Sequence, residues 1–86
     1  MRTVNIDFGK ARASLNIPTS YGGIYNLETI EEAERHYKNN KGRIDKSINE
    51  SISESSLEVG NLITVDSHKF SLTLLTNDEV TLMYLQ

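Results

Sequence analysis

Val80-Thr81-Leu82-Met83-Tyr84-Leu85 reads as a β-strand that is apolar on both faces. Successive strand residues point to opposite sides, so Val80, Leu82 and Tyr84 share one face while Met83 and Leu85 crowd the other. A strand resting on one small core needs a single apolar face. The second face asks for a partner: more of this chain, another copy, or another protein.

The segments before it supply a local partner. Phe70, Leu72 and Leu74 alternate with Ser71 and Thr73, and Ile63 and Val65 alternate with Leu62 and Thr64. Together they predict a three-stranded meander over residues 58–85. Folding about Ser67-His68 pairs Val65 with Phe70 and Ile63 with Leu72. The last turn admits two registers. A two-residue loop at Asn77-Asp78 sets Leu75 opposite Val80. A three-residue loop sets Leu74 opposite Leu82. The second register leaves Leu75, Met83 and Leu85 on the reverse side, and neither makes that side properly polar, so an oligomer interface is expected there, most simply a homodimer.

At the other end, Val4, Ile6 and Phe8 alternate with polar residues, as do Ala11, Ala13, Leu15 and Ile17. Gly9-Lys10 suits a two-residue type II′ turn, so a hairpin over residues 2–17 is expected. Pro18 to Gly23 breaks that pattern. In the helical segment 27–55, Leu27, Ile30, Ala33 and Tyr37 share a face. Thr29 with Glu32, or Asn26, could cap the start, and Gly42 is the natural stop. Ile44, Ile48 and Ile52 mark a second helix of poor intrinsic propensity, fraying toward Ser56. The fold class is therefore α+β, a small single domain over 1–86 in the order β-β-α-(α)-β-β-β, with an antiparallel sheet carrying helix on one face. Core residues should be Val4, Ile6, Phe8, Leu15, Leu27, Ile30, Tyr37, Ile63, Val65, Phe70, Leu72, Leu74 and Leu82.

Eighty-six residues hold one core, and a chain of that size buries only about 60–65% of its unfolded surface. The absence of Cys removes disulfides and Cys-based zinc as staples. No apolar run suggests a signal peptide or a membrane helix, so a cytoplasmic location and no membrane partner are expected. A net charge of −3 with no Trp argues against a dedicated nucleic-acid binder. Frequent Asn, Ile, Lys, Glu and Ser fit an AT-rich coding sequence, the kind found in low-GC bacteria, their phages and mobile elements.

Catalytic chemistry has little to work with. There is no Cys nucleophile, no nucleophile-elbow serine and no phosphate-cradling glycine loop. No cofactor is implied. Glu28, Glu32 and His36 recur every four residues and could hold a metal, but a solvated helix face has the same pattern. Arg35, Lys38, Lys41 and Arg43 form a basic cluster that could take an anion, from nucleic acid or a nucleotide. The competing reading is dipole complementarity at a helix end. Asn49-Glu50-Ser51 matches a glycosylation sequon by chance. The Tyr21-Gly22-Gly23-Ile24-Tyr25 loop and the acidic Glu31 and Glu34 have the composition of a protein-contact surface. The reading that follows is a non-catalytic protein-interaction module, a small acidic inhibitor or modulator of a larger protein. A nucleic-acid-binding or nucleotide-binding regulator is the alternative.

Overall fold

A computed structural model describes residues 1–10 and 27–85. In chain order the elements are β1 (Thr3–Asp7), α1 (Leu27–Asn39), α2 (Lys41–Ser55), β2 (Leu62–Val65), β3 (His68–Leu75) and β4 (Glu79–Tyr84). The class is α+β, two helices packed on a four-stranded sheet. The sheet itself is mixed. Its order is β1-β4-β3-β2, with β4 antiparallel to β3 and parallel to β1.

That order puts the doubly apolar strand inside the sheet. β4 is flanked on both sides, and Val80, Leu82 and Tyr84 are at most 2% exposed. Among the described residues the neighbour of β1 is a strand far along the chain. That strand is β4, with Val4 opposite Val80 and Ile6 opposite Leu82, and Lys10 already has helical geometry. Gly9, at φ 74°, lets the backbone turn away after Phe8, and its N–H donates to Asp7 Oδ1 at 2.8 Å. The second strand expected at 11–17, with Leu15, lies outside the described residues.

The β2–β3 turn is Asp66-Ser67 rather than Ser67-His68. Both residues have positive φ, 51° and 68°, as a type I′ hairpin requires. Ile63 therefore faces Phe70 and Val65 faces His68. The correction moves the register by two residues, so no side chain changes face. The β3–β4 hairpin starts in the first of the two expected registers. Leu75 pairs with Val80 across an Asn77-Asp78 loop, whose backbone N–H groups at Asp78 and Glu79 donate to Thr76 Oγ1. A bulge between Leu72 and Leu74 then shifts the pairing to Leu72–Leu82 and Phe70–Tyr84.

Gly42 does not end a helix. The break is at Asn40, whose side-chain amide donates to the His36 carbonyl at 2.9 Å and so completes the end of α1. Gly42 lies in the first turn of α2, and Thr29 lies inside α1 rather than capping it. α2 is regular to Ser55 and closes on Ser56 in the left-handed region, so the expected fraying is absent. Burial of Ile44, Ile48 and Ile52 against the sheet overrides the weak propensity of its Ser, Asn and Asp residues.

These three isoleucines join Ile30, Ala33, Val4, Phe8, Ile63, Val65, Phe70, Leu72, Val80, Leu82 and Tyr84 in one core. Two expected core members are outside it: Leu27 is 39% exposed and Leu74 41%. Phe8 touches both Tyr37 and Tyr84, with ring centroids 6.0 and 5.7 Å apart, and so closes the end of the core beyond β1. The one buried polar side chain among the described residues is Asn49. Its amide accepts from the Arg2 N–H at 2.9 Å and donates to the Arg2 carbonyl at 3.1 Å and the Asp45 carbonyl at 2.9 Å. An amide so engaged is not available for glycosylation in the folded chain.

Candidate functional site

The two helices lie on one side of the sheet, and strand alternation sends every second residue to the other. Register carries those residues into rows. One row runs Leu62, Ser71, Met83, Asp7 across β2, β3, β4 and β1; the next runs Leu74, Thr81, Asn5. Leu62 is 50% exposed, Leu74 41%, and Met83 is half-buried. The middle of this face carries no charge. Lys69 stands at the β3 side, and Asp7 and Glu79 at the β1 and β4 side. Glu79 accepts from Asn5 Nδ2 at 3.3 Å.

This set differs from the expected interface of Leu75, Met83 and Leu85. Of the three, Met83 lies half-buried on the open face, and Leu85, which alternation sends to the same side, is buried. The bulge beyond Leu72 rotates β3, so Leu75 turns inward and packs on the core while Leu74 turns out. Leu85 is 7% exposed, its N–H bonded to the Lys69 carbonyl at 2.8 Å. A bulge cannot be seen in a run such as Leu72-Thr73-Leu74-Leu75, where either leucine serves as the next inward residue. Leu62 was visible as an apolar residue out of phase with Ile63 and Val65.

The polar candidates are largely committed to one another. Tyr21, Gly22, Gly23 and Tyr25 lie outside the described residues. Glu31 is exposed, whereas Glu34 binds Lys10 at 2.9 Å and lies 3.8 Å from Lys38. The Lys10 hydrogen bond lowers the Glu34 carboxyl below its ordinary pKa and raises the Lys10 ammonium. Of the basic cluster, Lys38 pairs with Glu34, and Lys41 bonds Asp45 at 2.6 Å while lying 5.6 Å from the Tyr37 ring centre. Tyr37 donates to the same Asp45 carboxylate at 2.7 Å. Burial, ahead of that bond, raises the Tyr37 phenol. Arg43 grips Asp66 with both terminal nitrogens, at 3.1 and 2.6 Å. Arg35 alone of the four is exposed and forms no ion pair among the described residues. An anion would therefore have to displace existing carboxylates from three of the four cations.

Both histidines meet at the β2–β3 turn. His36 Nε2 is 2.7 Å from Asp66 Oδ2, and the two imidazole centroids are 5.7 Å apart, with His68 next to Tyr84 at 5.9 Å. Arg43 first, and His36 second, hold the Asp66 carboxyl far below the usual Asp range. This cluster ties α1 and α2 to the turn. It also takes His36 away from Glu28 and Glu32, the spacing considered for a metal. Among the described residues no group of three or more His, Asp or Glu side chains is placed to hold one, and no helix is long and apolar enough to cross a membrane.

Comparison with protein-family models, with curated proteins and with solved structures gives no match. The chemistry on view is that of contact. An uncharged patch of apolar and β-branched residues lies on one side, and on the other Lys38, Lys41 and Arg43 are paired with carboxylates of the chain.

Proposed function

We propose that this chain is a non-catalytic protein-interaction module whose contact surface is the sheet face turned away from the helices. The observation that carries this reading is the juxtaposition of Leu62, Leu74 and Met83 there, with no charged side chain between them. Apolar side chains that remain exposed together gain from a partner what they cannot gain from this core. Inhibition or modulation of a larger protein is the mode of action proposed for such a module. The exposed acidic side of α1, with Glu28, Glu31 and Glu32, is its second surface.

A photoreactive residue replacing Leu74 tests the reading in cells that make the protein. The expected result is a discrete covalent adduct that is not formed when the probe replaces exposed Lys46 on α2. No adduct from position 74, or equal adducts from both positions, would sink the proposal.

A further inference from the structure

We draw no further inference here: the strongest candidate, the open sheet face around Leu62, Leu74 and Met83, belongs to the contact surface already described, and nothing in the structure shows what covers it.

Discussion

Replacing Asn49 by Ala should cost this small domain a large share of its stability. Asn49 is 8% exposed, and its side chain holds both backbone groups of Arg2 and the Asp45 carbonyl. Asp45 keeps its helical hydrogen bond, so the loss is concentrated at Arg2, where one N–H and one carbonyl are left partly buried without a partner. Each such hydrogen bond is worth about 1 kcal/mol net, and stranding the groups raises the pair to about 2–3 kcal/mol. Alanine returns about 0.5 kcal/mol through its better helix propensity. The net loss is then about 2 kcal/mol. With a urea dependence of about 1–1.5 kcal/mol per molar, the midpoint should fall by roughly 1.5 M. Hydrogen exchange should show the Arg2 and Thr3 amides losing protection before those of β3. A midpoint shift equivalent to less than about 0.5 kcal/mol, with unchanged protection at Arg2, would refute the view that this amide clamps β1 to α2.

Other expectations are more local. Gly42→Ala should raise the urea midpoint by the equivalent of about 0.5 kcal/mol, because Gly42 is helical and an added Cβ there meets nothing within 4 Å. Ser67→Gly should stabilise by about 1 kcal/mol, since Ser67 sits at φ 68° in a turn that favours Gly; melting temperature reports it. Leu82→Ala, at a position with 0% exposure between two flanking strands, should cost about 3–5 kcal/mol and leave little folded protein by circular dichroism. The Asp66 carboxyl has a folded pKa lowered chiefly by Arg43. Its contribution to stability is therefore present above the ordinary Asp range near 3.9 and lost as pH falls toward the lowered value. Arg43→Gln should move the Asp66 titration upward by carboxyl NMR and flatten the acid limb of the stability curve.

The α+β class was legible because the periods are clean. Ile44, Ile48 and Ile52 repeat at helical spacing, and Ile63, Val65, Phe70 and Leu72 at strand spacing. The partner of β1 was not legible. Val4, Ile6 and Phe8 announce a strand, but alternation fixes only which face is buried. Gly9 suggested a local turn, and nothing in the alternation pointed to the pairing with Val80 and Leu82, far along the chain. The two-faced apolarity of β4 was read as a need for an outside partner. Part of that need is met within the chain, since Leu85 is buried. The open face was recognised through Met83 and misassigned at Leu75 because the bulge in β3 depends on backbone geometry that either leucine permits. Ion pairs such as Arg43–Asp66 lay beyond reach for another reason. They join residues whose proximity exists only after the β2–β3 turn docks on the helices.

The parallel pairing of β1 with β4 has a kinetic meaning. Thr3 and Glu79 are neighbours in the sheet, so the ladder that completes it closes nearly the whole described chain into a loop. Closing long loops costs entropy before any contact repays it, and such topologies fold slowly for their size. Until β4 is made and docked, β3 lacks one neighbour and β1 lacks its ladder. During synthesis β1 must wait as an unpaired, apolar strand, the form of chain most prone to pair with the wrong molecule.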